Sequence, residues 1–201
     1  MVIDSAHCLL NIQWRESKHC DVPQINIGCN TGQQGIFQCE LIVLHCVSLP
    51  AGEFGSGLPS QLFTGTLDIG AHESFASLAG VRVAPHLFID RDGVVEQFVP
   101  FDRPAWHAGE SQWMNRQGCN RFSLGIELEG TWESPFAEAQ YEALLEVGTA
   151  LCQRYPSLAP NAIVGHQEIA PGRKQAPGPY FDWQRLLVPL HRRLTTQSAQ
   201  N

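Results

Sequence analysis

Residues 40–47 read ELIVLHCV, a mostly apolar run of strand length. A run of this kind, without regular polar alternation, is typical of a strand that is buried on both faces of a sheet. It ends in SLPAG at residues 48–52, a loop signal. The sequence therefore predicts a central strand whose last residues, His45 among them, open into a loop. Functional groups are often displayed at such strand ends in α/β sheets.

The segments that follow carry further strand patterns. Residues 86–89 (HLFI) and 94–99 (VVEQFV) flank an Asp-Gly pair and predict a hairpin. Residues 122–128 (FSLGIEL) predict another strand, with its apolar residues on one face and its polar residues and glycine on the other. A short strand is expected at residues 162–164.

Helical patterns lie between and after these strands. Residues 136–155 predict a helix from their apolar stripe, with Ser134 as the N-cap and Pro135 at the first helical position. A last helix is expected to begin near Asp182. Strands interspersed with helices indicate an α/β (α+β) fold, a single domain with a central mixed β-sheet flanked by helices.

Length and charge limit the function classes. The 201 residues suit one domain. We place it at residues 40–195, between an irregular N-terminal lead-in at 1–39 and a C-terminal tail at 196–201. The net charge of −7 does not provide the basic field that nucleic-acid or anionic-membrane binding needs. No apolar run approaches the roughly 18–20 residues of a membrane span. We therefore expect neither a nucleic-acid nor a membrane partner, and separately we expect a monomer.

The cysteines and the N-terminus bear on the compartment. Seven cysteines, an odd number without CxxC spacing, fit reduced cytoplasmic thiols better than a disulfide framework. Charged residues interrupt each apolar stretch of the first 20 residues, whereas a secretory signal needs about 7–15 apolar residues in a row. We therefore expect a cytoplasmic protein, although a signal removed before residue 1 would leave the same pattern.

Two of the eight histidines lie in a context that favours function. His45 is near the end of the predicted central strand, and His166 follows a short strand and precedes a turn-rich segment. Neutral imidazole is a common zinc ligand, so this pair could bind zinc. The spacing alone is a weak signal, because 121 positions separate the two residues and form no local motif. A hydrogen-bonded structural role is the alternative for each.

Two other residue types could carry out acid–base or electrostatic chemistry. Glu127 and Glu129 alternate along one strand and project to the same face. A carboxylate on an otherwise apolar strand is costly unless it is paired or solvated, which makes Glu127 a candidate general base and a salt-bridge partner the alternative. Lys174, in a Pro/Gly-rich loop, could stabilise an oxyanion or be an ordinary solvated lysine.

Longer stretches occur together in a distinctive order. They are VLHCVSLPAGEFGSG (43–57), PAWHAG (104–109), FSLGIELEG (122–130) and GHQEIAPGRKQAPGP (165–179). With them, about 70% of the chain resembles the N-acetylmuramoyl-L-alanine amidase type 2 family, in particular its AmpD group. The resemblance implies a central mixed β-sheet flanked by helices, as in phage amidases and peptidoglycan recognition proteins.

The resemblance also implies an activity. Family members are zinc hydrolases that cut the amide between the lactyl group of N-acetylmuramic acid and L-alanine of the stem peptide. The AmpD group prefers the 1,6-anhydro-muramyl peptide of cytoplasmic peptidoglycan recycling. Matching positions imply that His45 and His166 bind Zn²⁺, that Glu127 is the acid/base carboxylate, and that Lys174 lies near the scissile carbonyl. Substrate contacts are implied at Arg82 (for the acidic end of the stem peptide), Trp106, His107, Cys46 and Ala170.

One position departs from the family in a way that matters for chemistry. The family's third zinc ligand is an aspartate in K-x-D-P-G-P, whereas this loop reads KQAPGP and places Ala176 there. A methyl group cannot coordinate zinc, so we expect impaired zinc binding and activity. The alternative is a non-catalytic muropeptide-binding module of the same fold. Cys46 stands where the family often has asparagine, and it either changes a substrate hydrogen bond or only packs. Gly118 stands where relatives commonly carry arginine, so we expect an altered pocket preference.

Overall fold

The centre of the fold is a mixed β-sheet, seen in a computed structural model that describes residues 1–19 and 39–198. The strands in chain order are β1 (Gln13–Trp14), β2 (Leu41–Val47), β3 (Leu87–Ile89), β4 (Val95–Gln97), β5 (Gln112–Trp113), β6 (Arg116–Gln117), β7 (Ser123–Glu129) and β8 (Ile163–Gly165). Six of them form the central sheet in the order β1–β4–β3–β7–β2–β8, and β5 pairs with β6 in a separate hairpin.

Helices accompany this sheet. They are α1 (Leu58–Thr64), α2 (Glu138–Arg154), α3 (His166–Ile169) and α4 (Trp183–Ser198), with short 3-10 helices at Ile69–Ala71, Glu73–Leu78, Cys119–Arg121 and Pro160–Ala162. Within the described ranges, no helix has both the length and the hydropathy that a transmembrane span requires.

Strand direction makes the sheet mixed. The central strand β2 is parallel to β7 on one side and to β8 on the other, and β7 is parallel to β3. β3 and β4 form the predicted antiparallel hairpin, and β1 is parallel to β4. The predicted fold class, a single α/β domain with a mixed central sheet flanked by helices, is confirmed.

The two faces of the sheet pack against different apolar clusters. On β2, Ile42 and Leu44 belong to the main apolar core, which also includes buried residues of α2 and α4. Leu41 and Val43, which alternate with them, belong to a second cluster. Because side chains alternate along a strand, His45 lies on the same face as Leu41 and Val43. The helices α2 and α4 therefore stabilise one face, and the opposite face is left to carry the site.

The start of α2 corrects the prediction from the sequence. The helix begins at Glu138 with Ala137 as its N-cap, and Ser134 instead forms a 2.8 Å hydrogen bond between its hydroxyl and that of Thr131. The Gln140 side chain accounts for the later start. Its Oε1 accepts the Ala137 N–H (3.0 Å), and its buried Nε2 donates to carbonyl oxygens at the ends of β3 and β7.

The described parts of both chain ends include regular secondary structure. In the predicted irregular lead-in, residues 1–19 include β1 and a buried Leu9, while residues 20–38 lie outside the described part. Arg15 anchors this segment, since its Nε lies 2.6 Å from Oε1 of Glu96 on β4. At the other end, α4 continues through the predicted boundary at residue 195 to Ser198.

Candidate metal centre and active site

The predicted site residues lie at the carboxyl ends of three neighbouring parallel strands. His45 lies near the end of β2, and Glu127 on β7 is its register partner. His166 follows β8 and is the first residue of α3. Because β2 lies between β7 and β8, their carboxyl ends meet, and two histidines separated by 121 positions become neighbours.

The two imidazoles point at each other through the same ring atom. The Nδ1 atoms of His45 and His166 are 2.8 Å apart, and both residues are buried, with 2% and 5% of their surface exposed. With Zn–N bonds of about 2.0–2.1 Å at a tetrahedral angle, two ligand nitrogens lie about 3.3 Å apart. The observed separation is therefore within about half an ångström of that required for a shared zinc ion.

Hydrogen bonds on the far side of a ring decide where its proton sits. His166 Nε2 is 3.0 Å from the carbonyl oxygen of Ala108, which can only accept, so Nε2 carries the proton and Nδ1 bears a lone pair. His45 Nε2 is 3.0 Å from Nδ1 of His107. Burial lowers the pKa of His166 to about 4 and holds the pKa of His45 well below its usual value. Both rings are therefore neutral at pH 7.

This arrangement suits part of a metal site. Two neutral imidazole nitrogens in a buried setting are a donor set that zinc accepts, provided that the proton of His45 is on Nε2 and not between the two rings. Ala176, at the third predicted ligand position, offers no donor atom. Within residues 1–19 and 39–198, no group of three or more His, Cys, Asp or Glu side chains is arranged to hold a metal. The residues present thus fit two of the three protein ligands of a catalytic zinc site.

Glu127 lies beside the histidine pair. Its Oε1 is 4.0 Å from Nδ1 of His45, and its Oε2 is buried without a hydrogen-bond partner in the described residues. Burial raises the pKa of this carboxyl group to about 8, an effect that the positive charge of Lys174 partly offsets. With this pKa the carboxyl group is mostly protonated at pH 7, and it must release that proton before it can act as a general base; a cation held by the neighbouring histidines would favour that release.

A cleft of about 440 Å³ opens over these groups. Besides the two histidines and Glu127, its lining includes the predicted site residues Cys46, Trp106, His107, Lys174 and Ala176. The unpredicted Trp132 also lines it. A second cavity of about 320 Å³ shares lining residues with the first and adds Arg82, so the structure brings the predicted substrate-binding arginine to the same region.

Ala170 is placed differently from the other predicted contacts. It is buried and lines neither of the two cavities described above. Its carbonyl oxygen accepts the backbone N–H groups of Arg173 and Lys174, each at 3.1 Å. The backbone of Ala170 therefore supports the loop that carries Lys174. Its methyl group does not line the cleft.

Sequence reasoning missed several residues that support the site. Asn120 holds the backbone at His107, and Gly125 on β7 leaves room for the His107 ring, since a Cβ there would lie 2.3 Å from its Cγ. A glycine inside a strand pattern can indicate such a close approach. His86 is also buried beside this group, its ring centroid 5.9 Å from that of His107. Nothing in the pattern around His86 or Asn120 distinguished them.

Known proteins similar in sequence point to one family. The family model described as N-acetylmuramoyl-L-alanine amidase matches residues 38–179. The 1,6-anhydro-N-acetylmuramyl-L-alanine amidase AmpD of Enterobacter cloacae is 52% identical over 158 residues, which are 79% of this chain and 82% of that protein. AmpD of Escherichia coli K12 is 53% identical over 148 residues, 74% and 80% of the two chains.

Solved structures agree with the sequence comparison. The crystal structure of a selenomethionine AmpD derivative superposes with a TM-score of 0.84 at 44% identity, covering 94% of this chain and 99% of that one. The complex of E. coli AmiD with the substrate anhydro-N-acetylmuramic acid-L-Ala-D-gamma-Glu-L-Lys gives a TM-score of 0.56 at 29% identity, covering 76% of this chain and 57% of that one.

Fold and cleft together define the class as a mixed-sheet amidase domain with a histidine and carboxylate cleft at its parallel strand ends. Within that class, the chain belongs to the N-acetylmuramoyl-L-alanine amidase family, and its resemblance to the AmpD group is confirmed.

Proposed function

We propose that the protein is a zinc-dependent amidase of peptidoglycan recycling. It hydrolyses the amide between the lactyl group of N-acetylmuramic acid, in its 1,6-anhydro form or not, and L-alanine of the stem peptide. The convergence of His45, His166 and Glu127 in one cleft is the observation that carries this proposal. The names of the AmpD relatives and the substrate in the AmiD complex support the choice of substrate.

His45 and His166 would hold the zinc ion through their Nδ1 atoms. A bound zinc ion supplies Lewis-acid polarisation of the scissile carbonyl and activation of a water molecule. Glu127 would take the proton of the attacking water on Oε2, the oxygen without a hydrogen-bond partner in the described residues, and deliver it to the leaving nitrogen of L-alanine.

Cationic side chains around the cleft would bind and polarise the substrate. Lys174 would place its ammonium group near the carbonyl oxygen as negative charge develops there, and loss of one such donor typically costs about 2.7–4 kcal/mol of transition-state stabilisation. Arg82, Lys174 and Arg173 all line the second cavity. They would attract the carboxylates of a stem peptide despite the acidic net charge of the chain.

Ala176 bears on how active the chain is. We infer that with two protein ligands instead of three, zinc is bound more weakly and activity is impaired. The same residue favours the second candidate function, a non-catalytic muropeptide-binding module, because the cleft and its cations do not depend on the third ligand.

We also make a proposal on the oligomeric state, the compartment and the partners of the protein. We infer a monomer that acts in the cytoplasm without nucleic-acid or membrane partners. The five cysteines in the described residues, Cys8, Cys39, Cys46, Cys119 and Cys152, are free thiols, which supports a reducing compartment.

Restoring the third ligand tests the proposal. The chain as given, Ala176→Asp and the isosteric control Ala176→Asn are compared for zinc content by elemental analysis and for peptide release from an anhydro-muramyl tripeptide. The aspartate variant is expected to hold about one zinc per chain and to release peptide faster than the other two. A zinc-loaded Ala176→Asp variant that releases no peptide would contradict the amidase. Tight, metal-independent binding of the tripeptide with no gain from aspartate would favour the binding module.

A further inference from the structure

We propose that His107 is a positioning residue that keeps the proton of His45 on Nε2 and thereby aims the Nδ1 lone pair of His45 at the metal position. This role differs from the substrate contact expected from the sequence. It rests on the proposed function in one respect, because it takes His45 as a metal ligand.

Protein covers most of the surface of His107, which also lines the cleft. Only 8% of its surface is exposed, and its ring stands edge-on to that of His45, with centroids 5.0 Å apart and planes at 88°. On another side the ring packs directly on the backbone of β7 at Gly125. Asn120 Oδ1 accepts the backbone N–H groups of His107 (3.1 Å) and Ala108 (2.8 Å), which holds the backbone from which the ring projects.

The donor and the acceptor of each hydrogen bond around His107 can be assigned by starting from the carbonyl oxygen of Cys119, which can only accept. The Ser123 hydroxyl lies 2.6 Å from the carbonyl oxygen of Cys119 and donates to it, because a carbonyl only accepts. With its single proton used, the hydroxyl can only accept from His107 Nε2, 3.3 Å away. The Ser123 carbonyl oxygen, 3.4 Å from the same nitrogen, is also an acceptor. His107 therefore carries its proton on Nε2, and its Nδ1 is an acceptor.

This acceptor sets the tautomer of the neighbouring ring. His45 Nε2 donates to His107 Nδ1 across 3.0 Å, and a neutral ring with its proton on Nε2 has its lone pair on Nδ1. His45 Nδ1 also faces the Nδ1 of His166 at 2.8 Å, so two acceptors compete for the one proton of a neutral His45 ring. The bonds from Cys119 and Ser123 make His107 Nδ1 the acceptor that holds the His45 proton on Nε2 against the competing Nδ1 of His166.

The two candidate ligands are oriented by different means. His166 donates Nε2–H to a backbone carbonyl, the common arrangement for a metal-binding histidine. His45 donates to an imidazole, which serves as an acceptor only while Ser123 holds its tautomer. Without the His107 acceptor, the proton of His45 can move to Nδ1 and block the metal position. Loss of such supporting bonds typically lowers metal affinity about 10–100-fold.

A matched pair of variants separates positioning from substrate contact. In the Ala176→Asp background, His107→Asn keeps an acceptor oxygen near the former Nδ1, whereas His107→Leu has nearly the same shape and no acceptor. Zinc affinity is measured by competition with a chelator, thermal unfolding verifies folding, and 15N NMR of the metal-free proteins reports which ring nitrogen of His45 is protonated.

We expect His107→Leu to weaken zinc binding about 10–100-fold and to mix the tautomers of His45, and His107→Asn to stay close to the parent protein. Equal zinc affinity in His107→Leu and the parent would overturn the proposal, as would equal losses in the two variants. The NMR measurement on the unsubstituted chain decides independently of zinc binding, amidase activity and variant folding. A proton on His45 Nδ1 there contradicts the proposal even if the amidase assignment holds.

Discussion

Two glutamates on one strand show how surroundings give identical side chains different tasks. Both Glu127 and Glu129 lie on the same face of β7. Glu129 accepts backbone N–H groups with both oxygens, from Gly55 at 2.6 Å and from Arg91 at 3.2 Å. Glu127 has a buried oxygen with no such partner among the described residues. Glu129 therefore secures two loops, and Glu127 is left able to exchange a proton.

This contrast predicts opposite results for the same substitution. In the Ala176→Asp background, Glu127→Gln should lower kcat about 10²–10⁴-fold, the usual contribution of a general base, with zinc content unchanged. Glu129→Gln should keep kcat but lower the free energy of unfolding by about 1–3 kcal/mol, because one of its two acceptors is lost. Amide-cleavage kinetics and urea unfolding measure the two effects. Full activity in Glu127→Gln would remove this residue from the mechanism.

At the scale of elements, the strand β7 and the helix α2 use glycine for different reasons. Gly125 lies on the site face of β7, against the ring of His107. Gly148 lies within α2, where an added Cβ would meet Leu190 of α4 at 3.5 Å, an ordinary van der Waals distance. Space at the first position is essential to the site, whereas the second position has room for a methyl group.

Alanine at each glycine tests this difference. Gly125→Ala forces a Cβ to within 2.3 Å of His107 and should destabilise the protein by about 1–3 kcal/mol, the usual cost of overpacking, and weaken zinc binding through the displaced ring. Gly148→Ala should stabilise the protein by about 0.5–1 kcal/mol, because alanine favours the helix. Thermal and urea unfolding check both signs, and a neutral Gly125→Ala would show that the ring can move freely.

For the whole molecule, buried neutral histidines couple folding to pH. His86 has no exposed surface, its Nε2 donates to the Arg103 carbonyl oxygen (2.8 Å), and its Nδ1 accepts the Gly125 N–H (3.0 Å). A second proton would place N–H against N–H at Nδ1. Burial accordingly lowers the pKa of His86 from its ordinary 6.5 to about 4.

Stability should therefore fall in acid. The unfolded chain takes up a proton at His86 below pH 6.5, whereas the folded chain does not until about pH 4. The contribution of neutral His86 to the free energy of unfolding is therefore complete above pH 6.5 and is lost as the pH falls from 6.5 to about 4. The slope is at most about 1.4 kcal/mol per pH unit. Urea unfolding of the metal-free protein at several pH values measures it.

Removal of the imidazole checks this assignment. His86→Gln should show a flatter pH dependence of the free energy of unfolding than the parent, because the titrating group is gone. Equal slopes in the parent and His86→Gln would show that other groups account for the acid sensitivity.

Local patterns in the sequence predicted the strands and helices better than their assembly. The strand at residues 40–47 and the Asp-Gly hairpin were predicted because burial and turn geometry restrict the residue types at neighbouring positions in the sequence. The start of α2 was predicted too early, because the side chain of Gln140 binds carbonyl groups distant in sequence. Similarly, His45 and His166 meet through strand order, which no local pattern records, and the family resemblance supplied that link. The contacts of His107 and His86 join residues that are far apart in the sequence, so no local sequence pattern predicts them.

The borders of the sheet also matter for how copies of the protein meet. In the part of the chain that the structure describes, its outermost strands are β1, with two residues, and β8, with three. Long, uncovered border strands recruit strands of other chains and promote aggregation. The seven-residue strands β2 and β7 lie inside, where their backbone groups are already paired. The longest stretches of strand are thereby withheld from intermolecular pairing.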